Sequence, residues 1–355
     1  MIEKFINNRL LTLYIIPFIL GSLTILSFEP FNLTIINFLI FPAFFYLLTY
    51  INKKSKSIYR KKPYKKNLLI FGIAFGFGFY LCGISWITNS LKFDESFKVL
   101  IPFTLLLLPL FLSLFLGLTT LIIGPYLKLD FASLLIFSAS LAFSDYLRGH
   151  IFTGFPWNLW AYSTVTINEI LQITNLIGLY SYNLITITIF TLPIIITFKL
   201  GKIKKIFSFL FILSFISSLF IYGNYVINKN KDILESDIKK IYVKIISPNF
   251  DLQYGLSTKE IEDRFKKLIR YSNPNKDKKT LFIWPEGVFS GYSYDEILIF
   301  KDLLIKNFSK NHYIIFGTNR FEPKSGQLYN SMLIVNNNLE IIQSYNKTKL
   351  VPFGE

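Results

Sequence analysis

Residues 99–124 read VLIPFTLLLLPLFLSLFLGLTTLIIG and contain no charged side chain. A transmembrane helix needs about 20 consecutive, predominantly apolar residues, so this stretch predicts a membrane-spanning helix. Similar apolar runs fill most of the chain before residue 228. Together they predict about seven spans, at residues 10–28, 31–50, 67–88, 99–124, 131–147, 168–198 and 206–227. The run 168–198 is too long for one helix, and its first part is expected at the membrane interface.

The composition is that of a chain solvated largely by lipid. Apolar residues make up 52% of the sequence, aromatic residues 18% and charged residues only 17%, with a mean hydropathy of +0.44. Soluble domains usually carry about 25% charged residues, so the composition argues against an ordinary cytosolic enzyme. The net charge of +16 comes from lysines and arginines that cluster between apolar runs. A nucleic-acid-binding face would instead be a patch on a folded domain.

Cysteine and histidine are scarce. Cys82 is the single cysteine of the sequence, which excludes an intramolecular disulfide and a multi-cysteine metal site. His150 and His312 are the two histidines, and their number argues against a histidine-based metal site. Cys82 lies within the predicted span 67–88, where we expect a small buried packing residue. We therefore expect no metal and no organic cofactor.

The distribution of basic residues predicts the orientation in the membrane. The loop 51–66 holds eight lysines and arginines, and the loop 199–205 holds four lysines, in both cases without an acid. The loops between the other spans balance Lys92 and Lys98 against acids, or Arg148 against Asp145. Because positively charged loops stay in the cytoplasm, 51–66 and 199–205 are predicted inside. With seven spans, residues 228–355 then lie outside.

After residue 228 the apolar runs shorten to the length of strands, which predicts a layered α/β domain with catalytic groups at strand ends. Residues 258–271 place Ile261, Phe265, Leu268 and Ile269 on one helical face. A turn at 336–338 is predicted to join the last two strands as a hairpin. The predicted buried strands are 239–247 and 280–284, further strands are 313–317, 331–335 and 341–345, and the second helix is 295–308.

Three motifs carry possible chemistry. In IWPEG at 283–287, partial burial at the end of a strand would raise the pKa of Glu286 and suit it to general-base work; the alternative is a solvated loop acid. In YNKTKLVPFGE at 345–355, Lys347 follows a strand and can stabilise an oxyanion, or it is a surface lysine. The loop LRGHIFTGFPW at 147–157 can receive a lipid, or it belongs to an interfacial aromatic belt.

Together, these motifs and their order resemble the apolipoprotein N-acyltransferases, membrane-anchored members of the nitrilase (carbon–nitrogen hydrolase) superfamily. FEPF at 28–31 also fits the first outer turn of that family. The resemblance implies a helical membrane bundle of about seven helices at 1–227. It also implies an α/β nitrilase-like domain, an α-β-β-α sandwich, that begins at 228 and is incomplete at residue 355. The implied location is the bacterial inner membrane, with the second domain in the periplasm.

The resemblance also implies a reaction and its residues. Glu286 matches the general base, Lys347 the lysine that stabilises the oxyanion, and Glu355 and Asn330 two supporting polar residues. The implied enzyme transfers an acyl chain from a phospholipid, through a thioester, to the α-amine of a diacylglyceryl-cysteine apolipoprotein. Its partners are the phospholipid donor, the apolipoprotein acceptor and membrane lipid, without nucleic acid.

The sequence departs from the family pattern in one important respect. The nucleophilic cysteine is expected about fifty residues after Lys347, and Cys82 is not a substitute because it lies in a predicted span. We therefore expect a chain that is truncated at its C-terminus, either as part of a longer protein or as a nonfunctional form. The alternatives are a noncatalytic or degenerate homologue and a polytopic binding or transport protein. No acid or base lies near the centre of a predicted span, which argues against a transporter.

Overall fold

A computed structural model describes residues 8–58, 63–92, 95–152, 154–235, 241–250, 255–289, 291–322 and 325–348. Only the backbone is described at 54–58, 63–64 and 232–235. The chain divides into two compact units, Met1–Ser236 and Asp237–Glu355, called here the helical unit and the α/β unit. Each unit is described by itself.

Seven principal helices lie within the described part of the helical unit, one at each predicted span. They are α1 (Leu11–Ser27), α2 (Asn37–Ile58), α3 (Pro63–Ile84), α4 (Ile101–Ile123), α5 (Phe131–Arg148), α6 (Thr174–Thr191) and α7 (Lys202–Glu235). The predicted boundary at 227/228 falls inside α7, which continues to Glu235.

Five helical segments in the described residues are long and apolar enough to cross a membrane. They correspond to α2, α3, α4, α6 and α7 with their flanking turns: Thr34–Lys53, Lys65–Lys92, Glu95–Tyr126, Thr174–Thr197 and Lys202–Lys231. The chain is therefore an integral membrane protein by the length and composition of its helices. Helices α1 and α5 are not among these five segments, so their membrane crossing stays a prediction.

The over-long run at 168–198 is divided in the structure, as expected. A short helix, Asn168–Leu171, precedes α6, and Gly178 interrupts the first part of α6 with a φ of +74°. That backbone angle is readily adopted by glycine because it lacks a Cβ. The helix α6 ends at Thr191 in a 3₁₀ segment, Leu192–Thr197.

Phenylalanine and glycine hold the helical unit together. Phe44 of α2 stacks on Phe75 of α3 with ring centroids 4.1 Å apart, and Phe79 stacks on Trp160 at 4.3 Å, all four being buried. The backbones of α3 and α4 approach so closely that a Cβ on Gly76 would lie 2.9 Å from the Cα of Ser113. Small residues allow such close packing between membrane helices, where lipid removes the hydrophobic driving force.

The described α/β unit is a five-stranded mixed sheet with helices packed on one face. The strand order is β1-β2-β3-β4-β5, with β1, β2 and β3 parallel and the pairs β3–β4 and β4–β5 antiparallel. The elements are β1 (Tyr242–Ile245), α8 (Thr258–Ser272), β2 (Thr280–Ile283), a short helix Tyr294–Ile297, α9 (Lys301–Asn307), β3 (His312–Glu322), β4 (Gln327–Asn336) and β5 (Ile341–Asn346).

Several strand predictions need correction. The strand predicted as buried at 239–247 is a four-residue edge strand, and all four of its residues are exposed because β2 is its one partner in the described sheet. The strands predicted at 313–317 and 331–335 are longer, because β3 and β4 continue as a two-stranded ribbon of polar and apolar residues. The hairpin predicted between the last two strands is confirmed by the antiparallel pairing of β4 with β5.

The two faces of the sheet differ in their covering. Phe282, Ile314 and Leu333 face α8 and its neighbours and are buried in the core, where they meet Phe265 and Leu268. The strand register places Val243, Ile245, Ile283, Ile315 and Met332 on the opposite face. That face is apolar but uncovered in the described residues: Ile245, for example, is 76% exposed.

Candidate functional site

Glu286 lies in the turn that follows β2. Trp284, Val288 and Phe289 around it are buried, and the buried guanidinium of Arg264 in α8 donates a hydrogen bond to the carbonyl oxygen of Val288 over 3.2 Å. These contacts fix the turn on α8. The side chain of Glu286 is exposed, so the expected partial burial is wrong for the described residues. The reason is that the apolar side chains of the turn fill the core and leave the carboxylate outside.

The loop that carries Glu286 reaches β3 at Asn319. Ser293, at the end of this loop, forms an isolated parallel bridge with Asn319, and the hydroxyl of Thr318 donates to the carbonyl oxygen of Tyr292 over 2.9 Å. Both contacts lie beyond the carboxyl end of β2, whose last residue, Ile283, pairs with Ile315. The loop is therefore fastened to the second half of β3 at this end of the sheet.

The same end of the sheet holds Asn330 and Lys347. Asn319 pairs with Asn330 across β3 and β4, and the backbone N–H of Lys347 donates to the carbonyl oxygen of Asn330 over 2.9 Å. Ser331 supports this arrangement because its buried hydroxyl donates to Oδ1 of Asn346 over 2.8 Å. The side chain of Lys347 is half-buried.

Two of the four predicted residues, and the loop that carries a third, thus lie at one sheet end. Lys347 and Asn330 are joined through the backbone, and Glu286 lies in the loop that ends beside Asn319. Glu355 lies outside the described residues. Asn319 was missed by the sequence analysis, because nothing in the isolated strand 313–317 indicates that β3 extends to it. The signal available in hindsight is the polar pair Thr318–Asn319, which directly follows the apolar run.

A second polar centre lies in the helical unit, at the end of α5. Arg148, from the LRG motif, is buried, and its Nη1 donates to the carbonyl oxygens of Phe155 and Trp157, each over 2.6 Å. The described residues 154–157 therefore curve around the guanidinium. The buried guanidinium donates hydrogen bonds to carbonyl groups that would otherwise be buried without a partner.

Asp145 and Asn183 complete this centre. Nη2 of Arg148 donates to Oδ1 of Asp145 over 2.9 Å, and Nδ2 of Asn183 in α6 donates to the other carboxylate oxygen over 2.9 Å. Oδ1 of Asn183 in turn accepts from the N–H of Ala161 over 2.9 Å. Asp145 and Arg148 are predicted from the sequence as charges of an outer loop, whereas the structure buries them together in the last turns of α5.

Histidine and cysteine take no part in either centre. His150 is exposed beside the rings of Tyr146 and Tyr180. Cys82 lies in α3 and is exposed, so its expected burial as a packing residue is wrong for the described structure. Over the ranges that the structure describes, no group of three or more His, Cys, Asp or Glu side chains could hold a metal ion.

Comparison with known proteins agrees with the predicted resemblance. Residues 20–192 match the model of the apolipoprotein N-acyltransferase N-terminal domain. Proteins named apolipoprotein N-acyltransferase from Rhodopseudomonas palustris and Bradyrhizobium diazoefficiens are each 26% identical to the chain. These alignments cover 96% and 94% of the chain and 64% and 63% of the relatives. The chain is similar to the apolipoprotein N-acyltransferases over nearly its whole length.

That relationship holds across a wider set of organisms. The apolipoprotein N-acyltransferase of Haemophilus ducreyi is 24% identical over 99% of the chain and 66% of its own length. The chain thus spans slightly less than two thirds of the length of the apolipoprotein N-acyltransferases named first. The family model ends at residue 192, directly after α6, so the α/β unit is matched only through the alignments with the relatives.

Proposed function

We propose that this protein is an apolipoprotein N-acyltransferase, which transfers an acyl chain from a phospholipid to the α-amine of a diacylglyceryl-cysteine apolipoprotein. The observation that carries the proposal is the alignment at one sheet end of Lys347, Asn330 and the loop of Glu286, in a chain whose relatives bear that name. No metal or organic cofactor is needed, because a thiol, a carboxylate and a lysine suffice for acyl transfer.

The uncovered face of the sheet supports a nitrilase-like α-β-β-α sandwich as the fold of the α/β unit. Val243, Ile245 and Met332 expose apolar side chains on the face opposite α8. A sheet with one apolar face buried by helices and a second apolar face open needs another layer. A second sheet stacked on this face gives the sandwich that the family resemblance predicts.

The proposed chemistry follows from the residue types at the sheet end. Glu286 accepts the proton of a cysteine thiol, and the thiolate attacks the ester carbonyl of the phospholipid. The ester C–O bond breaks, the lysophospholipid leaves with the proton, and a thioester remains. The α-amine of the apolipoprotein then attacks the thioester, the C–S bond breaks and the thiol is restored. In both steps the ammonium of Lys347 stabilises the oxygen that becomes negative. Asn330 and Glu355 support this arrangement.

The nucleophile of this scheme is a cysteine predicted downstream of Lys347. Cys82 does not fit the role, because it lies in the membrane helix α3 of the other unit. The apolar helices and the basic loops 51–66 and 199–205 support an inner-membrane protein whose α/β unit is periplasmic.

The test is made on the native protein in its source cell. The intact mass of the protein extracted from membranes is compared with the 41.4 kDa of this chain, and a larger mass that includes a downstream cysteine is expected. The gene is then depleted, and the N-terminal peptides of lipoproteins are analysed by mass spectrometry. We expect diacylated lipoproteins with a free amine to accumulate, and wild-type protein to restore the third acyl chain.

Matched variants separate the assigned roles from general damage. Glu286→Gln and Lys347→Ala should abolish the third acylation, whereas Glu262→Gln, Lys301→Ala and Cys82→Ser should retain it. If lipoproteins stay fully acylated after depletion, the proposed function is wrong. If acylation survives in Glu286→Gln or Lys347→Ala, the function stands but the assigned role of that residue is wrong.

A further inference from the structure

An apolar fissure separates α7 from α5 and α6 within the helical unit. Its volume is about 780 Å³. Leu135 contributes from α5, Leu184 and Thr188 from α6, and Phe207, Phe211 and Phe215 from α7. Nearly all of its wall is hydrocarbon, so a ligand with a long apolar chain is the chemical class that it fits.

The fissure is bounded by two fixed contacts of α7. Near the start of the helix, Nζ of Lys205 donates to the carbonyl oxygen of Ile196 over 2.6 Å. Further along, the backbone at Gly223 lies so close to the carbonyl oxygen of Glu169 that an added Cβ would overlap it. Between these contacts, Phe207 and Phe211 are exposed. The fissure therefore has two defined ends, because α7 contacts the rest of the helical unit on both sides of it.

A lysine lies at one end of this apolar space. A smaller cavity of about 380 Å³ shares Phe131, Ile195, Phe207 and Ser208 with the fissure and adds Lys204 to the lining. Lys204 is exposed and belongs to the cluster of four lysines at 199–205, which contains no acid. An apolar cleft that ends at a cluster of ammonium groups complements a molecule with an acyl chain and an anionic head group.

A second apolar groove in the same unit provides a contrast. It has a volume of about 680 Å³ and is lined by residues of α1, α3 and α4, among them Phe18, Ile73 and Leu106. Among the residues that the structure describes, no charged side chain lines it. Ordinary membrane lipid is expected to cover both grooves, but only the fissure joins its apolar walls to a basic end.

We propose that the fissure between α5, α6 and α7 binds one anionic glycerophospholipid, with an acyl chain in the fissure and the phosphate beside Lys204, within the lysine cluster 199–205. The basic loop 199–205 is predicted at the cytoplasmic face, so this lipid is held there for the packing of α7. None of the residues that line the fissure belongs to the α/β unit, which carries Glu286, Asn330 and Lys347.

The first experiment compares two lipids and two pairs of lysines. The full chain in detergent is titrated with phosphatidylglycerol or phosphatidylcholine, and bound lipid is counted by native mass spectrometry. We expect tighter binding of phosphatidylglycerol. The substitutions Lys202→Gln and Lys204→Gln should weaken it by about fivefold for each lysine. The control Lys65→Gln with Lys66→Gln removes exposed lysines from the other basic loop and should leave this binding unchanged.

A second experiment fills the apolar part of the site. Thr188→Trp places a large ring in the fissure and should abolish preferential phosphatidylglycerol binding, whereas Leu106→Trp in the uncharged groove should retain it. Equal binding of phosphatidylglycerol and phosphatidylcholine would overturn the proposal. So would an equal loss of phosphatidylglycerol binding in the Lys202/Lys204 and Lys65/Lys66 variants, because lipid contact would then be unspecific. The variant Phe211→Cys is also crosslinked in native membranes. A crosslink from this cysteine to another protein segment or to a second copy would overturn the proposal, because the fissure would then be occupied by protein.

Discussion

The backbone N–H of Lys347 donates a hydrogen bond to the carbonyl oxygen of Asn330 over 2.9 Å. This bond extends the pairing of β4 with β5 by one residue beyond Asn346, where β5 ends. Lys347 is therefore held in place by the sheet, although it lies in no strand. The proposed oxyanion-stabilising ammonium thus has a fixed starting point on a rigid element, which positions a charged group for catalysis.

Ser331 is expected to control the position of Lys347. Replacing Ser331 by alanine removes the buried hydrogen bond to Oδ1 of Asn346 and should cost about 1 kcal/mol of unfolding free energy. It should also increase hydrogen exchange at the Lys347 amide. Ser325→Ala, at an exposed turn, serves as the control and should change neither quantity. Unchanged exchange at Lys347 in Ser331→Ala would contradict this expectation.

Arg264 is expected to hold the turn of Glu286. Arg264→Met keeps the apolar stem but leaves the carbonyl oxygen of Val288 without this donor, at a cost of about 1–3 kcal/mol. Amide exchange at 286–289 should rise, and acyl transfer should fall with it. Arg270→Met changes an exposed arginine of the same helix and should have neither effect. Equal exchange in both variants would show that Arg264 does not hold the turn.

Two ion pairs with the same spacing should differ greatly in their importance. Asp145–Arg148 is buried, whereas Glu95–Lys98 is exposed, and both pairs are three residues apart. Asp145→Ala leaves a buried guanidinium without its carboxylate and should destabilise the protein by about 3–5 kcal/mol. Glu95→Ala should change stability by no more than about 1 kcal/mol. Thermal unfolding in detergent measures the stability of both variants. Similar losses of stability would show that burial does not make the Asp145–Arg148 pair more important than the exposed pair.

Acidification should loosen the first turn of α8. The hydroxyl of Ser257, followed by its backbone N–H, donates to Glu260 and lowers the pKa of that carboxyl. Because the folded pKa is depressed, this stabilisation is complete above the unfolded pKa and is lost as the pH falls through the folded value. Hydrogen exchange at the first amides of α8 should therefore rise below the ordinary glutamate pKa of about 4.3.

Glu260→Gln provides the control for this pH dependence. Glutamine retains the reciprocal cap with Ser257 but does not titrate. Exchange in the variant should be flat over the same pH range, apart from the intrinsic rate of the amides. A rise equal to that of the wild type would show that another group governs the start of α8.

The elements that the sequence predicts well are those with a strong local pattern. The helix at 258–271 was found at Thr258–Ser272, because Ile261, Phe265 and Leu268 recur at helical spacing. The length of β3 was underestimated, because Asn319 and Arg320 are polar and their strand conformation depends on β4 opposite them. Local sequence contains no information about that partner.

The site residues show the same division. Glu286 and Lys347 were chosen from motifs, and the structure describes both near strand ends. Asn319 and Asn183 were missed, since each acquires its contact only when distant parts of the chain fold together. The burial of Glu286 was wrong for a related reason: a Trp-Pro-Glu-Gly turn can place either its carboxylate or its apolar neighbours inside, and the neighbours occupy the core.

The position of both members of the buried ion pair on α5 affects how the protein is made. Asn183 and the loop carbonyls of Phe155 and Trp157 are synthesised after α5. A lone aspartate or arginine would make the insertion of this helix costly. Because Asp145 and Arg148 are three residues apart, they can pair within α5 before any later segment exists, and pairing would lower the cost of inserting this predicted span. The loop carbonyls and Asn183 then need only add their hydrogen bonds to that pair.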